Sequence, residues 1–210
     1  MNDEATRRSY DTVAEEYAAR LHDELAAKPL DRALLATLLE QTAAGAAVAD
    51  LGCGPGHVAA WLAEHGAKAV GIDLSAGMVA VAGARYPQVE FRQGDLRGLP
   101  AADGEFGAVV ALYSIIHLAS EDLPRALAEI RRVLRPSSGL LLLSFHVGDE
   151  IRHLDEWWGH EVDVDFHFLD PDRITSLVEA AGLTVEARLE RAPYPHEAET
   201  RRAYLFARRL

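Results

Sequence analysis

The chain has 210 residues, 49% of them hydrophobic and 26% charged, which suits a globular fold of about one domain. A formal charge of −12, with lysine only at positions 28 and 68, argues against nucleic acid as a partner, because that affinity rests largely on basic contacts to phosphate. One cysteine, Cys53, excludes an internal disulfide and a thiolate metal cluster.

No run approaches a membrane span, and the N-terminal MNDEATRRSYD lacks the apolar core of a signal peptide, so a soluble, cytoplasmic protein is expected. No metal site is expected. The sequence does not speak to oligomeric state.

The first forty residues have a helical period. Tyr10, Val13, Tyr17 and Leu21 recur at three- and four-residue steps, and a leucine stripe follows Pro29. From Ala46 the rhythm becomes strand, loop, helix. Ala47 to Leu51 reads as a buried strand leading into Gly52-Cys53-Gly54-Pro55-Gly56 and a helix ended by Gly66. Ala69 to Ile72 follows as a strand, with Ser75 placed to cap the next helix. Val89 and Phe91 mark a third strand and Ala108 to Leu112 a fourth. Leu123, Ala126, Leu127, Ile130, Val133 and Leu134 form one stripe of an amphipathic helix.

Leu140 to Phe145 is a fifth strand. Asp170, Pro171 and Gly182 punctuate a last helix, and Leu183 to Leu189 with Ala203 to Ala207 close the chain as a hairpin. Strands apolar on both faces, alternating with helices, indicate a parallel sheet covered on both sides. The expected fold is α/β and doubly wound (Rossmann-like), a mostly parallel seven-stranded sheet with a C-terminal antiparallel hairpin. A single domain over 1–210 is expected, with a helical N-terminal lid at 1–44 and an insertion at 146–169. The insertion reads as a short helix around Asp149 to Trp158, then a strand alternating through Val162, Val164, Phe166 and Phe168. It would sit over the carboxyl ends of the strands, where α/β sheets bind ligands.

The loop Asp50-Leu51-Gly52-Cys53-Gly54-Pro55-Gly56 lies between a strand and a helix, where glycines let a ligand approach the backbone closely. A dinucleotide fingerprint would require a third glycine where His57 stands, which disfavours a nicotinamide-dependent oxidoreductase. The Lys-Ser/Thr ending of a nucleoside triphosphate loop is missing too. Asp73 ends the second strand, about twenty residues on, where a carboxylate can accept both hydroxyls of a ribose. Asp95, after the third strand, can accept from an adenine amino group. Three acids after three consecutive strands suit a ligand with an amine, a ribose and an adenine, and would repel a pyrophosphate.

The stretches VADLGCGPGHVA, VGIDLSAGMV, FRQGDLRGLP, FGAVVALYSIIHL and LAEIRRVLRPSSGLLLLSF cover most of residues 48–145. They resemble class I S-adenosylmethionine (SAM)-dependent methyltransferases of the small ubiquinone/menaquinone-methyltransferase-like type. The N-terminal SYDTVAEEYA resembles that family's lid helix. The resemblance implies an enzyme that moves a methyl group from SAM to O, N or C of a small molecule by in-line displacement. A SAM-binding protein without catalysis, acting as a sensor or scaffold, is the alternative.

By the same resemblance Gly52, Gly54 and Gly56 lie along the methionine part of SAM, with Asp50 nearby. Asp73 holds the ribose, Leu74 and Met78 flank the adenine, and Asp95 with Leu96 binds its edge. Tyr10 and Tyr17 close over the cofactor, although the same tyrosines would also suit the packed face of a helix. His117 falls where acceptors sit in the family. It is the candidate general base or orienting group, or else a histidine packed at a helix start. Tyr113, His146, Trp157 and Trp158 are candidates to line the acceptor pocket.

Overall fold

The computed structural model describes residues 3–210; the first two residues of the expected lid at 1–44 lie outside the described residues. Two helices open the chain, α1 (Asp3–Leu21) and α2 (Pro29–Gln41), joined by a 3-10 turn at Glu24–Ala27. Pro29 starts α2, where a missing amide hydrogen costs nothing. The alternating part follows as β1 (Ala47–Leu51), α3 (His57–Glu64), β2 (Lys68–Asp73), α4 (Ala76–Arg85), β3 (Glu90–Gln93), β4 (Phe106–Leu112), α5 (Leu123–Val133) and β5 (Leu140–His146). A hairpin of β6 (Ile151–Trp157) and β7 (His160–His167) precedes α6 (Pro171–Ala180), β8 (Thr184–Arg191) and β9 (Arg202–Arg208).

The main sheet has seven strands in the order β3-β2-β1-β4-β5-β9-β8, with β9 antiparallel to both of its neighbours. This is the expected doubly wound architecture. The order reverses at β1, so β1 and β4 splay their following loops apart and open a crevice at their carboxyl ends. The central strands β4 and β5 are buried on both faces: Val109, Ala111, Leu141 and Leu143 pack with the α5 stripe, Ala108, Val110, Leu140 and Leu142 with Leu35 and Leu38 of α2.

The insertion departs from expectation. No helix spans Asp149 to Trp158; residues 151–157 are strand β6, paired antiparallel with β7. Apolar residues at 151, 154 and 157 mimic a helical period. The register shifts between Leu154 and Glu156, where two steps along β6 face three along β7, and Leu154 and Trp157, three positions apart, both join the cluster formed with Tyr10 and Tyr17. The turn is Trp158-Gly159, both at positive φ (55° and 85°), as a tight two-residue hairpin with right-handed twist requires.

The hairpin clamps α1. Val162 and Val164 of β7 pack with Val13 and Ala14 of α1 and with Met78 of α4. At the other flank Asp11 Oδ1 accepts from Ser75 Oγ (2.6 Å) and from the Gly77 amide (2.8 Å), a carboxylate seated at the N-terminus of α4. Ser75 also caps α4 as expected, its Oγ accepting from the Met78 amide at 3.0 Å. Helix α1 is therefore tied to the sheet side by α4 and to the hairpin by β7.

Candidate active site

The crevice holds a cavity of about 690 Å³, walled by the glycine loop, the ends of β2 and β4, α1, the hairpin and the β8–β9 connection. Gly52 turns the chain out of β1. Its amide donates to the Ile72 carbonyl at 2.7 Å, its φ is +69°, and a Cβ there would fall 2.3 Å from Ser114 Cβ. Only glycine lets the loop press this closely on the end of β4. At Gly54 (φ +51°) a Cβ would meet nothing nearer than Tyr17 Cε1 at 4.0 Å, so the loop backbone there is open to a ligand beneath the tyrosine. Gly56 is the N-cap of α3, turned towards Phe91 and Ala82; unlike Gly52 and Gly54, it is not on the cavity wall.

Four cavity-lining residues have a buried polar atom with no hydrogen-bond partner among the described residues: Asp50 Oδ2, His57 Nδ1, Ser114 Oγ and Arg202 Nε. A buried polar atom left unpaired costs about 1–3 kcal/mol, so Asp50 and Ser114, next to the glycine loop, point to a missing polar ligand. Burial pushes the Asp50 carboxyl up to about 7, opposed by His57 and the Ala59 backbone. Cys53 is buried, which pushes its thiol up, and nothing in its setting activates it.

Asp73 does two structural jobs: Oδ2 accepts from the Gly54 amide and Oδ1 from the Ser75 amide, each at 2.8 Å. Burial raises its carboxyl despite those amides. Leu74 and Leu96 are half-buried on the same wall. Asp95 lies there too, but its carboxylate is engaged by Arg97, through Nη2 at 2.5 Å and Nε at 3.0 Å, and this pairing holds it below the usual range. Met78 is elsewhere. It is fully buried against α1 and the hairpin, because the first turn of α4 points it inward, and it does not reach the cavity.

Tyr10 and Tyr17 roof the cavity from α1, edge-on to one another (centroids 6.1 Å apart) and each edge-on to Trp157 (5.7 and 5.5 Å). Burial raises both phenols. Trp157 lines the cavity, whereas Trp158 sits outside it, between Tyr17 and Arg20.

His117 stands on the 3-10 turn Ile115–His117 after β4, bridging α1 and β7. Its Nδ1 lies 3.0 Å from the Asp165 carbonyl on β7, and its Nε2 lies 2.8 Å from the Tyr10 hydroxyl. A carbonyl only accepts, so Nδ1 bears the proton and the bare Nε2 accepts from Tyr10. Desolvation lowers the imidazole to about 4, against the pull of the Asp165 carbonyl, so it is neutral near pH 7.

The far end of the cavity contains groups with no sequence signal of their own. The connection between β8 and β9 brings His196, Glu197 and Ala198 onto the wall, opposite Lys28 and Asp31. Arg191 anchors it, bonding Glu197 through both terminal nitrogens (2.6 and 2.9 Å) and Asp31 Oδ2 at 3.2 Å. Tyr204 donates to Asp31, and its oxygen lies 3.1 Å from the Tyr113 hydroxyl. Tyr113 lines the cavity with φ +55°, a conformation rare for a bulky residue and found disproportionately at functional sites. His146 also lines it; Nδ1 lies 2.8 Å from Thr200 Oγ1, and desolvation plus Arg202 and Lys28 bring it down to about 4.

Comparison with known proteins agrees with this geometry. Residues 48–137 match the family model described as a methyltransferase domain. A probable S-adenosylmethionine-dependent methyltransferase of Mycolicibacterium smegmatis is 33% identical over 156 residues, 72% of this chain and 57% of that one. A demethylmenaquinone methyltransferase of Chlorobaculum parvum is 39% identical over 90 residues, 42% of this chain and 36% of that one. The chain spans about half the length of the curated relatives it matches. Among solved structures, magnesium protoporphyrin IX methyltransferase from Synechocystis superposes with a TM-score of 0.76 over 100% of this chain and 98% of its own, at 18% identity, a likeness of fold.

Proposed function

With residues 48–137 placing the chain among the class I SAM-dependent methyltransferases, we propose that it transfers a methyl group from SAM to a small-molecule acceptor in this cavity. The observation that carries the reading is that Asp50 Oδ2 and Ser114 Oγ, both unpaired, lie on the cavity wall to which Gly52 and the open backbone of Gly54 also belong. An amino-acid ammonium would satisfy Asp50 Oδ2, and the carboxylate of the same ligand would accept from Ser114 Oγ; the loop amides are already bonded to Ile72, Asp73 and Cys53. Asp73 presents a carboxylate at the end of β2 for ribose hydroxyls, and Leu74, Asp95 and Leu96 form the wall for an adenine. Tyr10 and Tyr17 cover the middle of the site from the lid. The adenine-edge role of Asp95 is shared with Arg97, which already grips both of its oxygens.

SAM supplies a methyl group on a sulfonium, a carbon open to in-line attack. The chain has to bring the acceptor to about 3 Å from that carbon and keep water out, a proximity effect that general acid–base chemistry supplements only where a proton must leave. The aromatic roof and the β8–β9 connection exclude solvent. Tyr113, His146 and Trp157 line the acceptor side, and His117 is the candidate base. The reading extends to one domain over 1–210 working in the cytoplasm without nucleic acid. No helix among the described residues is long and apolar enough to cross a membrane.

Calorimetric titration tests the cofactor. SAM and S-adenosylhomocysteine are expected to bind, and NAD is not. Folded protein that binds neither adenosyl ligand would overturn the reading.

A further inference from the structure

On the acceptor side of the cavity, the direction of the Tyr10–His117 hydrogen bond is fixed by the Asp165 carbonyl. The Asp165 carbonyl compels Nδ1 of His117 to carry the hydrogen, which leaves Nε2 as a pure acceptor, and Tyr10 donates to it at 2.8 Å. The Tyr10 oxygen makes no other hydrogen bond among the described residues, so its own lone pairs remain free, and both residues line the cavity. Tyr10 therefore offers the cavity an accepting oxygen backed by a base. A hydroxyl whose hydrogen is spent on His117 cannot also donate to a ligand.

Resting on the methyltransferase reading, we propose that Tyr10 and His117 form a neutral proton relay, and that the acceptor is a hydroxyl compound, a phenol or enol, whose O–H is donated to the Tyr10 oxygen. The acceptor oxygen forms a bond to the methyl carbon as the carbon–sulfur bond breaks and its electron pair stays on sulfur. The acceptor's proton passes to Tyr10 while Tyr10 passes its own to His117 Nε2, leaving a methyl ether, a neutral thioether and an imidazolium that later releases its proton to solvent.

The low basicity of His117 fits this order of events. A neutral hydroxyl keeps its proton until the oxygen begins to bond carbon, and then becomes acidic enough for a weak base to take it. The groups facing the relay support neutrality. From α1 they are Tyr10 itself and Tyr17; from β7 they are the ring of Phe166, the carbonyl of Asp165 and the imidazole of His167. The Asp165 carboxylate is bonded to His153 instead, at 2.8 Å. Asp73 also acts on Tyr10 across the cavity, and its two oxygens already accept from the Gly54 and Ser75 amides. Because Asp165 lies on the inserted hairpin, the insertion, seemingly an accessory, sets the tautomer of the base.

The test uses binding to the protein loaded with S-adenosylhomocysteine, with para-nitrophenol and its methyl ether para-nitroanisole as probes. The phenol is expected to bind about tenfold more tightly, the worth of one well-made hydrogen bond. It should remain in its protonated absorbance band, because a weak base takes the hydrogen bond without taking the proton. In Tyr10→Phe the preference disappears. In His117→Ala it also disappears, since the freed Tyr10 hydroxyl turns to donate and serves the ether equally well. Each variant is saturated with S-adenosylhomocysteine at a concentration set by its own titration, and a circular dichroism spectrum matching the wild type separates loss of the relay from loss of fold. Equal affinity for the two probes in the wild type, undetectable binding of both included, overturns the proposal. So does a preference that survives in either variant. Failure of S-adenosylhomocysteine to bind the wild type would instead remove the methyltransferase reading beneath it.

Discussion

Replacing Gly52 with alanine isolates how closely the glycine loop must approach β4. The added Cβ costs twice. At φ +69° an L-residue with a side chain loses about 1–2 kcal/mol. The same atom would stand 2.3 Å from Ser114 Cβ, so the end of β4 must move by more than an ångström, an overpacking cost of about 1–3 kcal/mol. Gly66 is the matched control. Its φ is +90°, and a Cβ there meets nothing within 4 Å, so Gly66→Ala bears the backbone cost alone. For a chain of this size each kcal/mol lowers the melting temperature by about 2–4 °C, which gives a fall of about 2–8 °C for Gly66→Ala and about 4–20 °C for Gly52→Ala. Calorimetric melting of both variants, with SAM titrations alongside, measures the two effects. SAM affinity should fall only in Gly52→Ala, where Ser114 is displaced. Equal melting temperatures would refute the close approach of loop to strand as the reason for glycine at position 52.

Asp50 should make the ligand-free protein pH-sensitive. Its carboxyl is raised from 3.8 to about 7 by burial, so the folded chain holds this proton more tightly than the unfolded one. The resulting stabilisation is complete below about pH 4 and fades as the pH rises through about 7. Melting curves across that range should lose this component in Asp50→Asn, and SAM titrated at pH 6 in buffers of different ionisation enthalpy should release a proton as the carboxylate meets an ammonium. An unchanged pH profile in the variant would show that Asp50 is ordinarily ionised. Arg191→Met removes the shared cation of Asp31 and Glu197, leaving Asp31 to Tyr204 and Glu197 to Arg202 and Lys28, for a loss of about 1.5–3 kcal/mol by chemical denaturation; a loss under 1 kcal/mol would mean the cluster is solvated. Asp11→Ala removes the acceptor for Ser75 Oγ and the Gly77 amide, and should speed amide exchange in α1 while costing about 1–3 kcal/mol; unaltered exchange would mean that the hairpin alone holds the lid.

The parts of this molecule that local rules govern were legible in the sequence. Strands such as Leu140–His146 are apolar runs between turns, α5 shows a complete stripe, and Ser75 and Asp170 cap α4 and α6 through their side chains. Glycine spacing and the acids after β1, β2 and β3 marked the crevice. The failures have a common cause: they depend on contacts distant along the chain. An irregular register between β6 and β7 gives β6 apolar residues at helical spacing, and its turn puts Trp158, a bulky residue, at positive φ, which no local rule favours. Met78 followed the right motif but faces α1, which no local pattern reveals. Asp31, Glu197 and Arg191 meet only when α2 packs on β9 and the β8–β9 connection folds back, and nothing in residues 192–201 announces that they wall a cavity. The tautomer of His117 depends on a carbonyl forty-eight residues away.

The most direct measurement of the central claim is turnover with SAM bearing a trideuterated methyl group, mixed with the purified protein and a small-molecule extract of its source. High-resolution mass spectrometry should find S-adenosylhomocysteine accumulating in step with a metabolite that gains the labelled methyl. Protein that binds SAM under these conditions, yet forms neither S-adenosylhomocysteine nor a labelled product, would contradict the account.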